Sequence, residues 1–416
     1  MDILKGKKLL VLGGSAYMVD PVLKAKSMGV YTIVTDWHEL DKSPAKQVAD
    51  EYWTISLMDY DQLVPKIKEN KIDGILTGFT DNFLLAYQHL CELADLPCYA
   101  TKEQLEWSLD KRLFKNKCRE NNVPVVPEYD IQCFDKTIIG TEHKVIIKPV
   151  DSSGSQGICI CDNSDEFEEK LKCSLEYSAK KQVVIERYMD CDDVSFEYKI
   201  QDGEITLTAI CDRYIYKTPN EGSITSKLIY PSKYTDVYMA DVDKRVRKMF
   251  ESEGLRNGVL FMQAFAENGQ FYFYEMGYRL SGGRHYIFTK NQNGESALEE
   301  LIYFATTGKM SERRISDIAN PRFKDICSQL SIICQSDKIA KIEGFREVAE
   351  MHQVIDAIKM FKEGDMVGKQ GTTSSIFAKL HVVVKDDEEL DSLIKKIYFT
   401  LKVENEKGEN LVIQCS

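Results

Sequence analysis

The sequence predicts a protein of mixed α/β and α+β class in three units: a parallel βαβα domain over about residues 1–100, an α+β domain over 101–310, and a small C-terminal α/β lobe, rich in strands, over 311–416. Three observations predict it. Short apolar strands alternate with helical patterns through the first hundred residues, the rhythm of a parallel sheet with helices on both faces. Two apolar strands, Leu260–Ala266 and Phe271–Met276, flank the turn Glu267-Asn-Gly-Gln and read as an antiparallel hairpin. Beyond residue 320 come further short strands such as Ser328–Cys334 and Ala378–Val384.

In order along the chain, Lys7–Gly14 reads as a buried strand ending in a glycine turn, with a helix following to about Met28. Val30–Thr35 is a second strand ending at Asp36; Glu51–Ile55, the helix Tyr60–Glu69 and the strand Gly74–Thr77 continue the alternation. Asp110–Asn121 is helical, and Asn122-Val-Pro-Val-Val-Pro stops it. Lys144–Lys148, Val183–Tyr188, Asp193–Lys199 and Glu204–Asp212 read as strands, and the acidic run after Lys385 as a solvated helix start.

Composition limits the function. There are 54 basic and 66 acidic residues, a net charge of −12, which argues against nucleic acid as a main partner. The run Leu9–Leu12 is too short for a signal-peptide core, and no segment approaches the roughly 18 apolar residues of a membrane span. The twelve cysteines are scattered; Cys159 and Cys161 form a CxC, and no CxxC occurs. They read as reduced thiols acting as small apolar residues, so the expectation is a cytoplasmic protein without a structural metal or a membrane.

Three segments carry chemistry. In Val145-Ile-Ile-Lys-Pro-Val-Asp-Ser-Ser-Gly-Ser-Gln-Gly, a strand delivers Lys148 to a Ser/Gly loop whose backbone N–H groups can wrap phosphate oxygens. The lysine precedes the loop and no helix follows, so this is not a P-loop, and an ordinary hairpin turn also favours Ser and Gly. In Val184-Ile-Glu-Arg-Tyr-Met, the backbone of Arg187–Met189 can read an adenine edge. Glu186 can accept from the adenine amino group and Asp193 from ribose hydroxyls; a polar-alternating strand pair is the plainer reading. In the hairpin, Gln263 and Glu275 can face one site from neighbouring strands as hard oxygen ligands suited to Mg²⁺. Arg279 lies four residues on, where it can meet a phosphoryl group or a carboxylate bidentately. Core packing of Phe271, Phe273 and Met276 fits either a site or a plain surface hairpin.

In that order, Lys111 to Gly283 resembles the ATP-grasp superfamily, whose nucleotide lies between two α+β lobes. The first hundred residues resemble the Rossmann-like domain that precedes the grasp, and the tail resembles the small C-terminal domain of these enzymes. The nearest likeness is to the carbamoyl-phosphate-synthetase-like and L-amino-acid-ligase-like group. The resemblance implies a mobile lobe at about 122–190. It implies that Lys111 of the Asp110-Lys111 pair and Lys148 contact ATP phosphates, and that Ser152, Ser153, Gly154, Ser155 and Gly157 form the covering loop. Glu186, Arg187, Tyr188 and Met189 match the adenine hinge, Asp193 the ribose acid, and Gln263 and Glu275 the Mg²⁺ ligands, with Mn²⁺ as the alternative ion. Arg279 matches the arginine of E-x-N-x-R-x-x-G-G and, with Lys148, is the implied catalytic pair. The chain departs at Gly277, which stands where the family has asparagine, so one metal ligand is missing or supplied elsewhere.

Implied chemistry is ATP-dependent ligation of a small carboxylate to an amine through an acylphosphate, with a homodimer as a family assembly. The alternatives are a bicarbonate-activating carbamoyl-phosphate-type enzyme and a nucleotide-binding regulatory protein with a partly decayed site. Gly14, Ser15 and the Thr80-Asp81 pair, at the carboxyl ends of the first strands, are candidates for substrate contact, or sheet-end turns and caps. Ser281, Gly282, Gly283, Arg284 and His285 are candidates on the other side. The loop Thr218–Lys227 is expected to border the acceptor site. Asp36 invites an NAD reading, but no GxGxxG accompanies it.

Overall fold

The computed structural model describes residues 2–150, 157–218 and 222–415. The N-terminal strands β1 (Lys8–Leu12), β2 (Tyr31–Asp36), β3 (Glu51–Thr54) and β4 (Gly74–Leu76) pair in parallel in the order β3-β2-β1-β4. Leu9 to Leu12 are all buried, because helices cover both faces of a parallel sheet. Those helices include α1 (Val19–Ser27), α2 (Pro44–Val48), α3 (Tyr60–Glu69) and α4 (Leu84–Ala94). The carboxyl ends of β1 and β4 put Gly14, Ser15, Thr80 and Asp81 on one edge.

Helices α5 (Lys102–Leu109) and α6 (Lys111–Glu120) lead into the second unit. The Asp110 side chain caps α6, accepting from the backbone N–H groups of Arg112 and Leu113 at 2.8 and 3.1 Å. The cap fixes Lys111 as the first helical residue, with Lys115 one turn behind on the same face.

A small antiparallel sheet follows, made of β5 (Glu128–Tyr129), β6 (Val145–Pro149), β7 (Cys159–Cys161) and β8 (Val183–Arg187) in the order β5-β8-β6-β7. Helix α7 (Phe167–Glu176) covers it, and Ile139, Val145, Ile147, Cys161, Phe167 and Ile185 give this lobe its own apolar core.

The main sheet begins with β9 (Asp192–Gln201), β10 (Glu204–Thr218) and β11 (Gly222–Tyr230). After α8 (Thr235–Ala240) and α9 (Val242–Ser252) it gains β12 (Gly258–Glu267) and β13 (Gln270–Gly277). Helices α10 (Tyr286–Asn293) and α11 (Ala297–Thr307) precede β14 (Ile326–Cys334). The chain ends in β15 (Lys341–Glu343), α12 (Phe345–Ala349), β16 (Val354–Lys359), β17 (Ile376–Val384), α13 (Asp387–Thr400), β18 (Lys402–Glu404) and β19 (Val412–Ile413). The sheet runs β13-β12-β9-β10-β11-β14-β17-β16, so the C-terminal strands continue it through the β11–β14 pairing. β19 joins β14, and β15 pairs with β18 apart.

Strand β9 shows how this sheet separates its faces. Val194, Phe196, Tyr198 and Ile200 belong to the main apolar core, where Tyr198 and Phe196 meet Tyr238 of α8. The alternate residues Asp193, Ser195, Glu197 and Lys199 point the other way, as strand periodicity requires. The segment 281–300 covers the Glu197–Lys199 end: His285 lies on Glu197, and Glu295 and Glu300 lie on Lys199. The Asp193–Ser195 end borders the cleft toward the small lobe.

Gly74 docks the N-terminal domain on the rest. A Cβ there would lie 1.9 Å from the Ala305 carbonyl oxygen of α11, so the strand touches helix backbone directly. Among the described residues no helix is long and apolar enough to cross a membrane.

Candidate active site

The site lies between the small lobe and the Asp193–Ser195 end of the main sheet. Lys148 on β6 reaches Glu186 on β8 at 2.5 Å. The other Glu186 oxygen takes Lys115 of α6, which also holds Glu128 at 2.7 Å. One turn earlier, Lys111 reaches Glu275 on β13 at 2.9 Å. Glu275 stands directly opposite Gln263 on β12, which pairs in turn with Ser195 on β9. A polar chain therefore runs Lys148–Glu186–Lys115–Lys111–Glu275–Gln263 from one sheet to the other.

Glu186 is buried, which by itself would raise its carboxyl; Lys148 and then Lys115 outweigh the burial and hold it below the usual range. Both carboxylate oxygens face lysines, where the sequence pattern pointed to an adenine amino group. Beyond it the chain leaves the strand: Arg187, the last residue of β8, pairs with Glu267 at 2.8 Å, the Tyr188 hydroxyl receives Lys217 Nζ at 3.2 Å, and Met189 is buried. Ser152, Ser153, Gly154 and Ser155 lie outside the described residues. Gly157, where the loop ends, accepts a hydrogen bond from Ser174 Oγ at 2.5 Å.

A β-bulge on β13 shapes the metal-facing corner. Gln263 opposes Glu275 and Ala264 opposes Phe273, leaving Tyr274 as the extra residue. Its hydroxyl consequently joins the site face, reaching Asp193 at 3.0 and 3.2 Å and Gln263 Oε1 at 3.0 Å. Arg213, across from Asp193 on β10, donates to both Asp193 oxygens at 3.0 and 3.1 Å. Asp193 is thus held by an arginine and a tyrosine; burial still pushes its carboxyl up, with Arg213 and Tyr274 opposing. A ribose hydroxyl would share these oxygens.

Gln263 and Glu275 are side-by-side hard oxygen donors, and Glu275 is a third exposed. Among the described residues no group of three or more His, Cys, Asp or Glu side chains is placed to hold a metal. This donor set fits Mg²⁺ carried mainly by nucleotide phosphates and does not fit a resident ion. The position of the absent asparagine is filled. A Cβ on Gly277 would lie 2.5 Å from the Phe261 ring, which stands opposite it on β12.

Arg279 packs its guanidinium over the other side of the site, 5.1 Å from the Phe261 ring centre, and Nη1 donates to Leu280 O at 2.9 Å. Its remaining edge is held by Asp81 of the N-terminal domain, Nε to Oδ1 at 2.6 Å and Nη2 to Oδ2 at 2.5 Å. The two candidates thus meet although they lie 198 residues apart. Reciprocal bonds between Tyr99 and Tyr278, at 3.0 and 3.3 Å, tie the interdomain segment to the strand end that carries Arg279.

Of the other candidates, Ser281 Oγ lies 3.2 Å from His285 Nδ1. Gly282 O accepts from Lys379 Nζ at 2.6 Å, and His381 Nε2 lies 3.0 Å from Gly283 O. Arg284 and His285 turn into the interior. Arg284 bridges Asp20 and Asp356 at 2.8 and 2.7 Å, joining the first and last units. His285 sits 3.2 Å from Glu197. Burial and then Lys199 push His285 down to about 3, while burial pushes Glu197 up to about 8 against the pull of Ser281 and Arg279. Ser43 Oγ donates to Gly14 O at 3.4 Å and to Asp36 at 2.7 Å, and Lys46 also holds Asp36, so that carboxylate is engaged inside its own domain. Residues 218 and 222–227 form the ends of the β10–β11 hairpin, and residues 219–221 of the expected acceptor loop lie outside the described residues.

Lys115, Arg213, Tyr274, Phe261 and Lys379 were not singled out from sequence. Lys115 carried a signal, since it follows Lys111 by four residues on a helix. Arg213 and Tyr274 depend on strand register and a bulge, which no single segment encodes.

The family model described as an ATP-grasp domain matches residues 141–287. The formate-dependent phosphoribosylglycinamide formyltransferase of Sulfurisphaera tokodaii is 27% identical over 216 residues, covering 49% of this chain and 53% of that protein. The chain spans about half the length of the curated relatives it matches. The crystal structure of L-amino acid ligase from Bacillus licheniformis has a TM-score of 0.78 at 17% identity, covering 97% of this chain and 99% of that one. The biotin carboxylase domain of the Hydrogenobacter thermophilus 2-oxoglutarate carboxylase, solved with MgADP, ADP and bicarbonate, gives 0.74 at 19% identity, covering 96% and 90%. The chain carries an ATP-grasp domain and has the fold of the ATP-grasp enzymes.

Proposed function

We propose that this protein is an ATP-dependent carboxylate–amine ligase acting on small molecules. One observation carries the reading: the polar chain Lys148–Glu186–Lys115–Lys111–Glu275–Gln263 joins the two sheets that face each other across the cleft. It offers cations for phosphates and paired oxygens for Mg²⁺. In the reaction, a carboxylate oxygen attacks the γ-phosphorus and ADP leaves. The amine nitrogen then attacks the acyl carbon, the C–O bond to phosphate breaks, and the nitrogen's proton leaves with the phosphate. Two anions must meet in the first step, so the protein's work is positioning and charge neutralisation by Lys111, Lys148 and Arg279. Gln263 and Glu275 would hold Mg²⁺, which would supply further neutralisation of the phosphates.

The named relative and neighbours, a formyltransferase using formate and an L-amino acid ligase, support a small carboxylate and an amine. Free, scattered cysteines support a cytoplasmic setting, and the acidic balance supports small-molecule rather than nucleic-acid substrates. A homodimer is the assembly we propose. The bicarbonate-activating alternative is favoured only by the biotin carboxylase likeness.

The test is ADP release by the purified protein with ATP, Mg²⁺ and a panel of amino acids, small carboxylates and amines. Release is expected to require both a carboxylate and an amine, and to fall roughly 100-fold or more in Lys148→Ala. Release with bicarbonate alone would favour the alternative. ATP binding without turnover on any panel member would leave the regulatory reading.

A further inference from the structure

We infer that Asp81 is a coupling residue: it holds the phosphoryl-binding edge of Arg279 until the amino group of the acceptor takes Arg279's place on the Asp81 carboxylate. This rests on the ligase reading above and adds how the two substrates communicate.

The guanidinium of Arg279 has little freedom. One face lies toward the Phe261 ring at 5.1 Å, and Nη1 is spent on Leu280 O at 2.9 Å. With Nη1 partly engaged, the fork best placed for bidentate recognition of a phosphoryl or acylphosphate oxygen pair is the Nε–Nη2 edge. Asp81 occupies that edge with both oxygens, at 2.6 and 2.5 Å. Asp81 and a phosphoryl group therefore compete for the same donors.

The two partners are unequally placed. The Arg279 side chain is 10% exposed and the Asp81 side chain 42% exposed, so the carboxylate is the partner within reach of an arriving molecule. Asp81 opens the short 3₁₀ helix after β4, on the strand-end edge with Gly14 and Ser15, and that strand lies directly against the backbone of α11 at Gly74. An acceptor's ammonium group offers Asp81 a replacement cation, which removes the cost of leaving the carboxylate unpaired when it gives up Arg279. With no acceptor present, the fork stays closed and phosphoryl transfer lacks its arginine. Water would otherwise attack the acyl carbon of the acylphosphate, returning carboxylate and phosphate, and the ATP would be wasted.

The experiment compares wild type with Asp81→Asn and Asp81→Ser, each checked for a native melting transition. The first measurement is affinity for a non-hydrolysable Mg²⁺–ATP analogue without acceptor. Freed Arg279 is expected to tighten binding by about 5-fold or more, the lower end of usual coupling energies. The second is ADP release with a carboxylate but no amine, expected to rise in both variants while the amine-dependent stimulation disappears. Analogue affinity that is unchanged or weaker in both folded variants overturns the proposal, because a residue that merely orients Arg279 can only lose contacts when removed. The ligase reading is judged separately, by amine-dependent ADP release in wild type.

Discussion

Glu197 and His285 are buried side by side beneath the cleft, and each is held in its neutral form by that burial. Neither Glu197 Oε2 nor His285 Nε2 has a hydrogen-bond partner within the described residues, so the neutral forms avoid the desolvation cost of buried charges. The consequence for stability has a definite sign. Glu197 titrates at about 8 in the folded protein against an ordinary value of 4.5. Between those values the folded state keeps a proton that the unfolded chain has released, so stability falls as pH rises through the window. Glu197→Gln removes the titrating group. Its melting temperature is therefore expected to gain on that of wild type by several degrees between pH 5 and pH 8, read by thermal melts in a matched buffer series. A constant difference across the series would contradict the assignment.

At the scale of elements, the corner made by β12 and β13 decides what the site contains. The bulge that ejects Tyr274 onto the site face links Asp193, Arg213 and Gln263, and the Phe261 ring fills the space beside Gly277. Gly277→Ala alone pushes a methyl into the ring and is expected to cost about 1–3 kcal/mol, the usual penalty of overpacking. Combining it with Phe261→Leu is expected to return a large part of that loss in chemical denaturation. Additive losses would mean that the ring is not what excludes the side chain. Much of this corner was legible in the sequence. The alternation Asp193, Ser195, Glu197, Lys199 marks one polar face, and the Asn-Gly turn fixes the hairpin that brings Gln263 opposite Glu275. The bulge was not legible, because -Phe-Tyr-Phe-Tyr-Glu- reads as unbroken alternation until the partner strand is known. The Asp193–Arg213 pairing is likewise a property of register. Lys115 shows the opposite case, since its helical spacing from Lys111 was in plain view but lay outside the motif.

For the whole molecule, the order of units was readable from periodicity, whereas the joining of the tail to the main sheet was not: β11 ends at Tyr230 and β14 begins only at Ile326, and the two pair through backbone groups. The docking of the first domain was equally hidden, because it depends on the bare backbone of Gly74 lying on α11. Gly74→Ala is expected to shift that domain and with it Asp81. Amine-dependent turnover should drop on the order of 100-fold, as for other ångström-scale misplacements, while analogue binding in the cleft is kept or, where Asp81 releases Arg279, tightened. Equal losses in both would show that the strand contact serves folding alone. The arrangement of the cleft has one more consequence. Lys111, Lys148 and Arg279 each already hold a carboxylate, from Glu275, Glu186 and Asp81. A solitary phosphate or sulfate ion must break a formed pair for every one it makes and gains little by entering. Only a ligand that engages several of these partners together, with its own metal ion to occupy Glu275, comes out ahead, so the resting cleft is quiet toward the ordinary anions that surround it.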